Sequence, residues 1–417
     1  MTESPDRAPR SATDSATDSA TDSAVDGGLR IVLVEFLPRG GMFQFSFQFA
    51  DALARAGNRV TLLTGPDPEL TSTTPGFDVV SAFPTWNPNA NTEVTGPARV
   101  LRRITRALRL VESWRRALTY LRSVRPDVAQ FGELRFVLDT SALLAVARLG
   151  RVKTLVDVAH NPLPYDVHGK DQSVEKSGRL TRALLNRAYR ACDLVLVLGD
   201  GPKQTLMQAF PDVARVEVCG HGDYSGVTAD EGLPAPSAAP PAALFFGAWT
   251  KYKQIPLLLE AFALVRERLP EAVLTLAGPV MPDVDLPEIS ARADEIGQVD
   301  MRPGYVDMAD LPTLFSSHRV VMFTYQTVNI SGSIHMAYTF GRPVVATDVG
   351  AMRDVVQPGV TGLLTANDAG SIADAMVEIL GDPATADRMG RAAAEEGHRG
   401  ASWSSVAGRA LAAYGRA

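Results

Sequence analysis

The segment NISGSIHMAYTFGRPVVATD (Asn329–Asp348) sets Ser331, Gly332 and Ser333 where an apolar run, VVMFTY, hands over to a helix-length stretch. Two readings of this Ser-Gly-Ser step stand side by side. Small residues allow close packing; equally, the free N–H groups and dipole of a helix's first turn favour an anion there. Other residues could serve the same anion. In FFGAWTKYK a strand-type run ends at Gly247 and a helix-type stretch begins after Lys253, so Lys251 and Lys253 stand as exposed cations near a carboxyl strand end. His160 closes the apolar run KTLVDVAH and precedes a Pro-rich loop that would expose it. In PRGGMFQ, Gly40 and Gly41 form a tight strand-to-helix turn of the kind that lets backbone approach a ligand. This turn is not the G-x-G-x-x-G dinucleotide fingerprint, which disfavours a nicotinamide enzyme.

These residues need elements to hold them. At 417 residues the chain exceeds one ordinary core, so two domains are expected. Buried-strand runs alternate with helical stretches: LRIVLVEF, NRVTLLTG, PDVAQFG, KTLVDVAH, DLVLVLG and RVEVCG, then AALFFG, AVLTLAG, DMRPGYV, RVVMFTY, PVVATD and TGLLT. Such alternation predicts parallel sheets covered on both faces, with ligands outside the carboxyl ends of the strands. FQFSFQF alternates like a strand, yet it continues into ADALARAG and a parallel crossover needs a helix, so a helix is predicted. The expected division is a disordered tail over 1–28 carrying SATD repeats, an N-terminal domain over 29–230 and a Pro/Ala/Ser linker over 231–241. A C-terminal domain over 242–395 follows, then a helix over 396–417 that returns to the N-terminal domain.

Composition narrows the partners. A net charge of −6 argues against nucleic acid. The two cysteines, Cys192 and Cys219, offer neither a disulfide framework nor metal spacing, and fit a reducing compartment. There is no 18-residue apolar run and no apolar signal core, so a cytoplasmic protein is expected. Asp283 and Asp285 form an Asp-x-Asp pair, but in the Pro-bounded stretch MPDVDLPEI a surface loop is expected, and no metal site is assigned.

The order and spacing of FFGAWTKYKQIPLLLEAF, LTLAGP, GYVDMADLPTLF and SGSIHMAYTFGRPVVATDVGAMRDVVQPGVTGLL resemble the large family of retaining glycosyltransferases with the GT-B fold. That family includes sucrose synthases and bacterial phosphatidylinositol mannosyltransferases, and the resemblance runs from about Leu29 to the C-terminus. It implies two Rossmann-like domains facing across a cleft, an acceptor-side N-terminal domain and a donor-binding C-terminal one. The implied activity is transfer of a sugar from a nucleoside diphosphate donor to a hydroxyl of a glycan, lipid or small molecule, with retention and without metal. An epimerase of the same fold, or a non-catalytic nucleotide-sugar-binding partner, are the alternatives. By resemblance, Gly40, Gly41, Lys251, Lys253, Ser331, Gly332 and Ser333 meet the diphosphate. Gly247, Gly278, Tyr305 and Val306 lie on the nucleotide side, His160 contacts the donor sugar at the reaction centre, and HGDY (His221–Tyr224) lines the cleft. The family's two glutamates would fall at Val328 and Met336 and are missing, as is its arginine at Ala248. A subgroup carrying SG in that loop also lacks the second glutamate, the one that would fall at Met336.

One stretch is not absorbed by this reading. Residues 99–125 carry nine arginines against a single acid, Glu112. Leu101, Ile104, Leu108, Val111, Trp114, Leu118 and Leu121 fall at helical spacing, with Arg102, Arg103, Arg106 and Arg109 on the other faces. The expectation is a stripe packed on the N-terminal sheet and a basic back facing an anionic membrane surface, the inner face of the plasma membrane.

Overall fold

The structure, a computed structural model, describes residues 27–84, 97–132, 134, 137–163, 179–224, 234–327, 332–350, 352–400 and 402–415. The predicted tail lies outside the described residues up to 26, as does the linker's start up to 233.

The first domain runs β1 (Arg30–Val34), α1 (Gly41–Arg55), β2 (Arg59–Thr64), β3 (Phe77–Ser81), α2 (Pro97–Val124), β4 (Val128–Phe131), α3 (Val137–Leu149), β5 (Thr154–Val158), α4 (Arg179–Tyr189), β6 (Leu194–Val197), α5 (Asp200–Ala209) and β7 (Val216–Val218). Its strands pair in parallel in the order β3-β2-β1-β4-β5-β6-β7. The second domain runs β8 (Ala242–Phe246), α6 (Ile255–Arg268), β9 (Val273–Gly278), α7 (Leu286–Ile296), β10 (Val299–Pro303), α8 (Leu311–Ser316), β11 (Val320–Phe323), α9 (Gly332–Thr339), β12 (Val344–Thr347), α10 (Met352–Val355), β13 (Gly362–Thr365), α11 (Ala369–Gly381) and α12 (Pro383–Gly400). Its parallel order is β10-β9-β8-β11-β12-β13. Both sheets are doubly wound, as the alternating pattern predicts.

Strand β3 was not foreseen. It is a short edge strand, FDVVS, with one buried residue, so it lacks the continuous apolar run of a central strand. The FQFSFQF conflict resolves as a helix: α1 buries Phe43, Phe45, Phe47 and Phe49. Alternate positions point to opposite sides of a helix, and α1 has neighbours on both sides. The sheet covers one, and α13 (Trp403–Tyr414) covers the other. The chain thus returns to its first domain, and Trp403, Val406, Ala407 and Ala410 join that domain's core. The predicted boundary at 395 falls inside α12, which continues to Gly400. Cys192 and Cys219 are both buried free thiols.

The apolar stripe of α2 divides. Trp114 and Leu121 are buried, whereas Leu101, Ile104, Leu108 and Val111 stand in solvent. The expectation of one continuous packed stripe is corrected. The helix is longer than the sheet it covers, and none of its residues 100–109 is buried.

Candidate active site

In each sheet the strand order reverses at one place, between β1 and β4 and between β8 and β11. Chain leaving these carboxyl ends diverges and opens a crevice. The two crevices face each other across a cavity of about 500 Å³. Gly40, Gly41 and His160 line it from the first domain; Gly247, Lys253, Gly278, Tyr305, Val306, Gly332 and Ser333 line it from the second.

Lys253 is the cavity's cation. It ends a 3-10 turn, Lys251–Lys253, placed between β8 and α6. Its side chain is only 6% exposed, against the expectation of a solvated lysine. The ammonium sits over the rings of Phe245 and Tyr325, 5.7 and 5.3 Å from their centroids. No carboxylate among the described residues forms an ion pair with it. Burial without a counter-charge pushes its pKa down to about 8. Gly247, at φ 115°, opens the niche for it: a Cβ there would lie 2.9 Å from Lys253 Nζ and 3.5 Å from Ser333 Oγ. Lys253 and Ser333 therefore border the same small space, at the first turn of α9.

The HGDY loop closes the other side of that turn. His221 Nδ1 lies 2.6 Å from the Gly222 carbonyl oxygen, which can only accept, so Nδ1 carries the hydrogen and Nε2 is left as an acceptor. Burial lowers the His221 pKa to about 4, so the ring is neutral. A Cβ on Gly332 would lie 3.3 Å from His221 Nε2 and 3.2 Å from the Tyr224 hydroxyl. His335, one turn into α9, stacks on His221 with centroids 4.8 Å apart and planes 3° apart. Desolvation, then its neighbour, holds His335 down to about 3.

On the N-terminal side, Gly40 caps α1 with φ 90°, a conformation that favours glycine. The Gly40 N–H donates to Glu69 Oε2 at 3.1 Å, and the Gln44 amide donates to both Glu69 oxygens at 3.3 and 3.2 Å. His160 lies two residues past β5 with its ring edge-on to Phe45, 4.6 Å between centroids.

Most of the residues singled out from sequence converge here, with exceptions. Lys251 does not join them. Residues two apart on a 3-10 turn point to different sides, so Lys251 is exposed, lining a separate pocket with Asp283. Ser331 and Val328 lie outside the described residues. Gly278 lines the cavity, but its glycine is also required by packing, since a Cβ would strike the Gly247 carbonyl oxygen at 2.1 Å. Met336, where an acid was sought, is buried and apolar at the cavity wall. Asp285 caps α7 by accepting from the Glu288 N–H, and Asp283 accepts from the Lys251 N–H. Glu69 and Gln44 were missed: neither carries a signal of its own, and only folding brings Glu69 to the Gly-Gly turn that Gln44 follows in sequence.

The family "Glycosyltransferase Family 4" matches residues 39–222, and "Glycosyl transferases group 1" matches residues 240–382. A D-inositol 3-phosphate glycosyltransferase of Kribbella flavida is 30% identical over 260 residues, 60% of this chain and 59% of the relative. The chain thus matches about three fifths of that relative's length. Among solved structures, sucrose-phosphate synthase from Thermosynechococcus elongatus superposes with a TM-score of 0.68 at 19% identity, covering 93% of this chain and 98% of the other. HepE from Anabaena, in complex with UDP and glucose, does so with a TM-score of 0.67 at 16% identity, covering 93% and 100%.

Proposed function

Because the chain belongs to the GT4-like glycosyltransferases of the GT-B fold, we propose that it transfers a sugar from a nucleoside diphosphate donor to an acceptor hydroxyl with retention. One observation carries the choice of donor: a buried lysine, without an ion-pair partner among the described residues, faces the first turn of a helix across a cavity. A buried charge of that kind is costly unless a ligand completes it, and a diphosphate supplies the missing anion. That HepE, which superposes on this chain, is in complex with UDP and glucose supports the same reading.

In the proposed reaction the bond from the anomeric carbon to the diphosphate oxygen breaks and the bond to the acceptor oxygen forms on the same face. The acceptor's proton passes to the departing phosphate oxygen. Lys253, Ser333 and the N–H groups at Gly332 meet the charge that develops there, so the chain supplies positioning and electrostatics. Ser331 is assigned to the same contact. Gly40 and Gly41 offer close backbone approach from the acceptor side, and His160 the sugar contact. Gly247, Gly278, Tyr305 and Val306 form the nucleotide side. No metal is assigned a step, since the cation and the helix terminus already face the diphosphate position.

The test is calorimetric titration with nucleoside diphosphates, followed by NMR of the product's anomeric centre. Tight binding and a product of unchanged configuration are expected. Inversion would remove the same-face mechanism. Interconversion of donor sugars without acceptor would make the protein an epimerase, and binding without turnover would make it a non-catalytic partner.

A further inference from the structure

Helix α2 overhangs the first domain. Phe36, just past β1, packs against Trp114 with ring centroids 5.0 Å apart and planes tilted by 53°, and Arg116 donates to the Ala82 carbonyl just past β3. At its far end the Val124 carbonyl accepts from Arg30 at the start of β1. The helix therefore runs antiparallel to the strands, and Trp114 marks the sheet's carboxyl edge. Everything before about Leu110 projects beyond that edge, since residues 100–109 include none that is buried. At 1.5 Å per residue the overhang reaches about 15 Å. It leaves from the edge that carries Gly40, Gly41 and His160.

The overhang has two chemical sides. Leu101 (66% exposed), Ile104, Leu108 (64%) and Val111 form an aliphatic stripe at helical spacing. Arg102, Arg106 and Arg109 form a second strip, and Arg103 is exposed as well. Residues 99–111 hold five arginines and no acid, in a chain whose net charge is −6. An exposed aliphatic stripe calls for an apolar partner, and the flanking cations call for an anionic one. A bilayer with anionic headgroups offers both at the right depths, chains below and phosphates at the level of snorkelling arginines.

We infer that the α2 overhang docks the protein on anionic bilayer surfaces, with the Leu101–Val111 stripe among the acyl chains and the helix lying along the surface. A helix lying in the interface this way gives reversible attachment. Each cation near the surface raises the partition coefficient about fivefold, and screening by salt reverses it. The inference does not depend on the proposed transfer, because attachment is read without donor or acceptor.

The experiment is co-sedimentation of the full chain with phosphatidylglycerol-containing vesicles and with pure phosphatidylcholine vesicles, at low and high salt. Binding to the anionic vesicles alone, lost at high salt, is expected. Leu101→Ser with Leu108→Ser should lower partitioning at least about tenfold, and Arg103→Gln with Arg109→Gln about 25-fold, from two cations at about fivefold each. Thermal melting should be unchanged for the serine pair, because Leu101 and Leu108 are exposed. Equal partitioning on both lipids, or none on either, overturns the inference. So does a concentration-dependent dimer abolished by the serine pair, which would make the stripe a contact between copies.

Discussion

The Tyr305 hydroxyl, carried on the loop after β10, donates across the cleft to Glu69 Oε1 at 2.5 Å. Burial and then this bond push the phenol's pKa well above its ordinary value, so the group stays a donor. Glu69 also holds the Gly40 N–H and the Gln44 amide, so one carboxylate ties the Gly-Gly turn to the opposite domain.

Tyr305→Phe keeps the ring and deletes this tie. A hydrogen bond to a charged acceptor is worth about 1.5–3 kcal/mol, enough to shift a marginal domain closure. The ligand-free variant should show a larger radius of gyration in small-angle scattering, and a KM for donor changed more than kcat. Identical scattering and kinetics would mean that other contacts set the closure.

Lys253→Met should separate stability from function. Removing the buried ammonium relieves a cost of up to about 3 kcal/mol, and Met preserves most of the volume. The melting temperature should rise while donor affinity or turnover falls by about 1.5–3 kcal/mol. A variant that melts lower and binds donor normally would place Lys253 in a packing role.

The same lysine sets a pH dependence of definite sign. Its folded pKa of about 8 lies below the ordinary 10.5. Between those values the unfolded chain binds a proton that the folded chain does not, so this group's contribution to stability rises with pH there and is at its most unfavourable below about 8. Donor capture runs the opposite way: kcat/KM should fall above about pH 8 as the ammonium is lost. A flat profile from pH 7 to about 9.5 would argue against a charged contact.

Gly332→Val should weaken nucleoside diphosphate binding by at least about tenfold, or 1.4 kcal/mol. A Cβ at this position already approaches Tyr224 and His221 at 3.2 and 3.3 Å, and the added methyls occupy the mouth of the first turn. Titration of the folded variant checks this. Unaltered binding would mean that the diphosphate sits elsewhere.

Activity should survive chelation by EDTA, since Lys253 and the α9 terminus are proposed to meet the diphosphate without a metal. Loss restored by manganese would point to a metal-assisted reaction.

The sheets were legible because parallel strands buried on both faces read as unbroken apolar runs, as in RIVLV and VVMF. β3 was not, being half-exposed at an edge. Gly247, Lys253 and Gly332 could be singled out because each stands at a strand-to-helix junction. Tyr305 was singled out by resemblance alone and Glu69 not at all; the two are 236 positions apart, and no local pattern announces a bond that two separate sheets must bring about. The burial of Lys253 escaped for a related reason. Exposure of a junction residue depends on the rings that close over it, here Phe245 and Tyr325.

Helix α13 gives the chain a history as it is made. Trp403 donates to the Gln48 side chain at 3.1 Å, Arg409 to the Cys219 carbonyl and Arg215 to the Ala413 carbonyl. The last strand of the first sheet ends at Val218, so the ribosome adds well over a hundred residues before Trp403 appears. Throughout that interval Phe45 and Phe49 lack the ring that will cover them. The nascent first domain therefore waits with this aromatic flank uncovered. It completes its core only after the second domain has been synthesised.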